Sequence, residues 1–302
     1  MLPEKQNDPF LLGPEDAGKA CLIIHGFSGI AGEMRGLGES LAVQGIRTLG
    51  IALTGHSGDP DDLARSTRKD WIASTEAGLA ELAQYKEVFV AGLSMGGVLA
   101  LMLAAQHPER IAGVIAMSTP TRFARSWMIS LAHPFMKWFY PYKPFDLRNP
   151  KIQKMFLNSR IWQGENIAID FSDPQVIAEI KATRLSIAAL LELAQLLATS
   201  RATLKQVRCP LLVIQSKGDN TVSTACAREL MQLAVNARPK TLRWLEHSDH
   251  VITLGPEREE VFLLSREFID APLVAPAEWG VPAATSSSDR AGAWLQGRAA
   301  NG

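Results

Sequence analysis

Residues 88–105 restrict the fold more than any other stretch. Val88-Phe89-Val90-Ala91-Gly92-Leu93-Ser94-Met95-Gly96-Gly97 runs directly into Val98-Leu99-Ala100-Leu101-Met102-Leu103-Ala104-Ala105. A short β-branched apolar run, then small residues, then an Ala/Leu/Met segment reads as strand, sharp turn and helix. In Gly92-x-Ser94-x-Gly96 the serine occupies the strained turn. The glycines two residues to either side remove the Cβ atoms that would hold strand and helix apart. The hydroxyl is pushed clear of the sheet, and the backbone N–H of Met95, at the helix start, faces an oxygen that turns negative during acyl transfer. Taken alone, the pentapeptide equally describes a glycine-rich βα turn with a serine N-cap. The remainder of the chain has to decide.

Apolar runs of the same kind recur along the chain. Ala20-Cys21-Leu22-Ile23-Ile24, residues 46–53, Ile111-Ala112-Gly113-Val114-Ile115-Ala116-Met117, Pro210 to Gln215 and Thr241 to Leu245 all read as strands, with Pro9 to Leu12 as an edge strand. Helical segments separate them over 33–44, 70–84, 224–234 and 256–269. Strands alternating with helices imply a mostly parallel, doubly wound α/β sheet, with the active site at the carboxyl ends of the strands. The rhythm breaks between Thr119 and Gln206. Trp127, Met128, Phe135, Met136, Trp138, Phe139 and Tyr140 stand there among prolines, and no clear strand appears before Pro210. The expected organisation is a core of residues 1–118 and 207–271, a helical cap insertion over 119–206, and a flexible tail over 272–302, where Pro, Ala, Ser and Gly dominate.

Composition removes several function classes. Lys plus Arg and Asp plus Glu both number 31 in 302 residues, so nothing favours a polyanionic partner, and nucleic acid is set aside. Cys21, Cys209 and Cys226 have neither CxxC nor metal-ligand spacing; they read as small core residues in a reducing compartment, with no metal site. The N-terminus lacks the n- and h-regions of a signal peptide, and no apolar run of about 18 residues is free of charge. The expectation is a cytoplasmic protein without an integral membrane segment; a homo-oligomer stays open.

A serine hydroxyl needs a general base, and the resulting imidazolium needs a carboxylate. Asp219 lies in the Gly218-Asp219 loop after one late strand, and His250 in the loop after the next. The order Ser94, Asp219, His250 is the one expected on such a sheet. His247 is a rival for the base and Asp249 for the acid, although a carboxylate does not easily fold onto its neighbour's imidazole. His25-Gly26-Phe27-Ser28-Gly29 follows the strand 20–24, where the N–H of Phe27 can complete an anion hole with that of Met95. His25 is read as a scaffold residue, His56 as a surface-loop histidine and His107 as a helix cap.

With His25-Gly26-Phe27-Ser28-Gly29, Gly92 to Gly97, Gly218-Asp219 and Ser248-Asp249-His250-Val251-Ile252-Thr253-Leu254 all in place, the sequence resembles the bacterial carboxylesterases and monoacylglycerol lipases of the α/β-hydrolase fold. Leu53 to Gly58, Asp62-Leu63 and Asp70-Trp71 are also similar to that family. The resemblance spans about Pro9 to Asp270. It implies Ser94 as nucleophile, His250 as base, Asp219 as orienting acid, Phe27 and Met95 as backbone oxyanion donors, a cap between Ser118 and Gln206, and no cofactor. Gly55-His56-Ser57 stands where Gly-His-Gly is commoner, and the cap is longer than in the simplest members. The expected activity is hydrolysis of acyl esters through an acyl-enzyme. Acyltransferase, peptidase, perhydrolase or C–C hydrolase chemistry, and a silent receptor for a hydrophobic ligand, are the competing readings.

Overall fold

The computed structural model describes residues 7–123, 126–159 and 169–271. In chain order it contains β1 (Phe10–Leu12), β2 (Lys19–Ile24), a 3-10 turn over Ala31–Met34, α1 (Arg35–Ala42), β3 (Arg47–Ile51), α2 (Pro60–Arg65), α3 (Arg68–Glu81), β4 (Glu87–Leu93), α4 (Met95–Gln106) and β5 (Ile111–Met117). Then come α5 (Ser126–Ala132), β6 (Trp138–Phe139), α6 (Pro150–Ser159), α7 (Pro174–Ala182), β7 (Leu185–Ser186), α8 (Ile187–Thr203), β8 (Leu211–Ser216), α9 (Thr224–Leu233), β9 (Lys240–Leu245) and α10 (Arg258–Asp270). The tail expectation, with Trp279 and Trp294, lies outside the described residues.

Seven strands form one sheet in the order β1-β3-β2-β4-β5-β8-β9. Every pairing is parallel except that of β1 with β3 at one edge. Alternation along the central strands feeds two cores. Leu22, Ile24, Val88, Val90, Leu211 and Val213 face the layer that includes α4, while Cys21, Ile23, Phe89, Ala91, Leu212 and Ile214 face α1 and α10. Burial on both faces explains why these strands read as continuous apolar runs. All three cysteines are free and buried, and burial pushes the Cys21 and Cys209 thiols up to about 12.

Local signals set several boundaries. Thr67 and Asp70 form a capping box at α3. Asp59 accepts the Asp61 N–H at 2.8 Å ahead of Pro60, so a short helix, α2, forms inside a stretch whose turn composition predicts loop. The final helix starts at Arg258 rather than Pro256, with Glu257 as its N-cap and the Glu257 carboxylate engaged with the backbone of residues 246–248. His107 ends α4, its N–H bonded to Leu103 O at 2.9 Å, and its ring meets Glu76 at 2.8 Å.

Between residues 119 and 206 the structure is largely helical, with one addition to the expectation: β6 and β7 pair as a two-residue antiparallel ribbon. Tyr142, Leu147, Phe156, Val176 and Ile180 make a separate small cluster there. The apolar side of α8 instead joins the main core through Ala189, Leu193, Leu196 and Leu197. Ile187–Gln206 is long and apolar enough by composition to cross a membrane, yet 44% of it is buried inside the protein. Glu192 within it binds Arg68 at 2.6 Å.

Candidate active site

The carboxyl ends of β2, β4, β5, β8 and β9 form one rim of the sheet, as parallel pairing requires. Among the described residues, the only non-glycine positions with positive φ are Ser28, Ser94 and Ser118. Each follows one of those strands. Such conformations cost of order 1–3 kcal/mol and persist only where their surroundings over-determine them. At Ser94 (φ 55°, ψ −117°) the surroundings are explicit. Its N–H donates to Met117 O at 2.8 Å, and its C=O accepts from Gly97 N at 3.0 Å and Val98 N at 3.3 Å.

Glycine is required on both sides of this turn for a steric reason. A Cβ on Gly92 would lie 2.2 Å from the Gly96 backbone, and one on Gly96 would lie 2.2 Å from Ile24 O. The second contact shows how closely α4 begins against the end of β2. The same approach brings the loop after β2 to the serine: the Cβ direction of Gly26 points 3.4 Å from Ser94 Cβ and 4.0 Å from its Oγ. Gly29 N donates to Gly26 O at 3.1 Å, closing a turn in which the Phe27 N–H has no part. Met95 is the first residue of α4, so its N–H has no acceptor within the helix. These are the two sequence-expected anion-hole donors, one on each side of the Ser94 turn.

The Phe27 ring is fixed from beneath by an aromatic cluster. It meets Trp71 edge-on at 5.9 Å and His56 at 6.2 Å, and His56 in turn meets His25 at 5.1 Å. Trp71 is fully buried and donates to Ser66 Oγ at 3.0 Å. His56 is therefore a buried residue, not the surface-loop histidine its Gly/Asp-rich neighbours predict. Asn7 holds its carbonyl at 2.7 Å, and packing against Trp71 does the rest. His25 Nε2 accepts the Leu53 N–H at 3.1 Å, which leaves Nδ1 to donate to Gly26 O at 2.9 Å. It is a scaffold group.

Asp219 and His250 meet directly: Nδ1 of the ring lies 2.9 Å from Asp219 Oδ2. The Asp219 side chain is 0% exposed and that of His250 14%. Oδ1 accepts Thr221 N and Val222 N, both at 2.8 Å. Burial alone would raise the Asp219 carboxyl; the His250 contact and the two amides outweigh it and hold the group below its ordinary value. The rivals have other tasks. Asp249 Oδ1 accepts the backbone N–H of His250 at 2.8 Å and that of Asn220 at 3.3 Å, tying the two loops together. His247 N–H donates to Glu257 at 2.9 Å.

Two participants escaped the sequence reading. Glu257 collects the N–H groups of Glu246, His247 and Ser248 and the Ser248 hydroxyl, all within 2.9 Å, and so shapes the loop that carries His250. Despite its partial burial, these bonds pull its carboxyl down to about 2. Gln215 donates to Asp219 Oδ2 at 2.8 Å. Its only sequence signal is a polar residue ending an otherwise apolar strand.

Among the described residues no group of three or more His, Cys, Asp or Glu side chains could hold a metal ion. Residues 15–257 match the family model described as serine aminopeptidase, S33. The chain is 29% identical over 248 residues to a thermostable monoacylglycerol lipase of Bacillus sp. (strain H-257), covering 82% of this chain and 88% of that one. It is 27% identical over 255 residues to a carboxylesterase of Bacillus subtilis (strain 168), at 83% and 92% coverage. Among solved structures, that of the metagenome-derived lipolytic enzymes LipS and LipT matches with a TM-score of 0.70 at 27% identity, covering 88% of this chain and 98% of that one. The monoacylglycerol lipase of Paleococcus ferrophilus matches in fold with a TM-score of 0.64 at 19% identity, covering 87% and 97%.

Proposed function

The chain belongs to the serine aminopeptidase S33 family of α/β-hydrolases, and from that premise we propose that Ser94, His250 and Asp219 hydrolyse carboxylic esters through an acyl-enzyme, with Phe27 and Met95 as backbone oxyanion donors. The protein is a carboxylic-ester hydrolase, in keeping with its lipase and carboxylesterase relatives. The observation that carries the residue assignment is the 2.9 Å contact of His250 Nδ1 with Asp219, on the same rim as the strained Ser94 turn. A carboxylate only accepts, so Nδ1 carries the proton in the neutral ring and Nε2 is the basic nitrogen. Nε2 takes the Ser94 proton as Oγ attacks the carbonyl and returns it to the leaving alcohol; water then repeats the cycle.

Medium-chain esters and monoacylglycerols are the substrates this reading favours, with residues 119–206 as the cap that receives the acyl group. Its aromatic and methionine content suits an apolar chain. The test is hydrolysis of p-nitrophenyl esters from acetyl to palmitoyl, with monoacylglycerols in parallel, by the parent and by Ser94→Ala. Turnover that collapses in Ser94→Ala supports the reading, and the chain-length optimum sizes the acyl site. Equal rates in both proteins remove Ser94 from the mechanism.

A further inference from the structure

Gln215 is the penultimate residue of β8, its side chain buried at 0% exposure. Its carboxamide nitrogen donates to Asp219 Oδ2 at 2.8 Å, and this is the oxygen that also accepts His250 Nδ1. The orientation of the amide follows from chemistry: an ionised carboxylate offers no proton, so the NH2 end must face it. The other end gains little, since Oε1 is buried with no hydrogen-bond partner among the described residues. A buried, unpaired amide oxygen lowers stability. An apolar side chain of the same length would avoid that penalty, so the carboxamide's positive contribution lies in its donor end.

We propose that Gln215 is a positioning residue of the hydrolytic site: by sharing Oδ2 with His250, it fixes the Asp219 carboxylate and limits how strongly that carboxylate stabilises the imidazolium. The inference rests on the reading of Ser94, His250 and Asp219 given above. Oδ1 is already occupied by Thr221 and Val222 N–H, so Oδ2 is the oxygen through which the acid acts on the base. A second donor on that oxygen draws electron density from the His250 bond. Removing it leaves the whole of Oδ2 to the ring, which favours the charged form of His250.

Other charged groups near the pair keep their partners when Gln215 changes. Asp249 is held by Asn220 and the His250 amide, Glu257 by residues 246–248, and Lys217 by Glu246. His25 is engaged with Leu53 and Gly26. His247 is anchored to Glu257 through its amide.

The experiment is the pH profile of kcat/KM on p-nitrophenyl butyrate for the parent, Gln215→Met, Gln215→Glu and Ser118→Ala. The acid limb reports the base in the free enzyme. In Gln215→Met it is expected to move up by roughly half a pH unit, about a threefold loss at low pH relative to the plateau. Gln215→Glu keeps the shape; buried against the ionised Asp219 carboxylate, its own carboxyl holds a proton and donates to Oδ2 as the amide does, so it is expected to restore the parental limb. Ser118→Ala removes a different buried polar group, a hydroxyl with no hydrogen-bond partner among the described residues, one strand away, and is expected to leave the limb in place. A purely structural Gln215 would lower thermal stability in Met without moving the limb. A limb unmoved or moved to lower pH in the folded Gln215→Met variant, or one displaced in Gln215→Glu as far as in Gln215→Met, overturns the inference. Ser94→Ala in the same assay separates the two layers: parental turnover there fails the hydrolytic reading itself, whereas lost turnover with an unmoved Gln215 limb leaves that reading and removes only this inference.

Discussion

The strand-end rim and the segment between residues 119 and 206 are held by different kinds of force. On the rim, position is dictated by backbone. Ser94 is fixed by Met117 O, and the start of α4 lies so close to Ile24 O that no Cβ fits at Gly96. Asp219 and His250 sit in loops cross-tied by main-chain amides. The inserted segment relies on side chains. It has a small cluster around Phe156 and edge ion pairs such as Asp61 with Arg184 at 2.5 Å, the latter stacked over Trp138 at 4.3 Å. Most of the exposed large apolar residues fall there: Trp127, Met128, Leu131, Phe135, Met136, Phe139 and Phe145. Backbone-determined geometry tolerates little change, whereas a side-chain-held surface can vary without moving the reacting groups. On the proposed reading, the chemistry belongs to the first and the substrate preference to the second.

Four measurements can break or sharpen that contrast. Asp219→Asn deprives His250 of its charged partner, and kcat is expected to fall by about 10³–10⁴ with folding intact by circular dichroism. A loss below tenfold would detach Asp219 from the chemistry. Gly96→Ala is next, with an expected destabilisation of several kcal/mol in chemical unfolding, because its methyl meets backbone rather than a yielding side chain. Gly18→Ala, with nothing among the described residues within 4 Å of its Cβ position, is the comparison and is expected to lie within about 0.5 kcal/mol of the parent.

The third concerns acid stability. Glu257 has a folded pKa of about 2, below its ordinary 4.5, so its contribution is complete above pH 4.5 and disappears as pH falls toward 2. Glu257→Gln is expected to remove about 1 kcal/mol near neutrality, solvent screening of this part-exposed carboxylate keeping the loss below what its shift alone implies, and to flatten the stability curve across that window. A parallel curve would mean the amides of 246–248 do not need the charge. The smallest effect belongs to the insert. Phe135→Ser, at 84% exposure, is expected to change stability by less than about 0.5 kcal/mol. It is also expected to leave kcat on an acetyl ester untouched, while KM rises for long acyl esters. A fall in kcat on the acetyl ester would mean the insert reaches the reacting groups.

Legibility followed the physics of each feature. The strand, turn and helix around Ser94 were readable because sterics within ten residues dictate them. The cores on both sheet faces were readable because doubly buried strands are apolar throughout. The α2 helix was readable in principle, from Asp59 ahead of Pro60, but turn composition masked it. His56 was not: its burial depends on Trp71, fifteen residues on, and on Asn7, forty-nine back. Gln215 and Glu257 were invisible for the same reason, since their roles lie in partners that only folding brings near.

By itself the sequence determined the alternation of strands and helices, the order of serine, aspartate and histidine, and the glycines that permit the turn, because each is a property of local sterics or of residue chemistry. Only the tertiary structure decided which histidine ring meets a carboxylate, what holds that carboxylate, and which loop residues lie in the core. Those outcomes are set by hydrogen bonds between strand ends distant along the chain, where a shift of one ångström separates a bond from none.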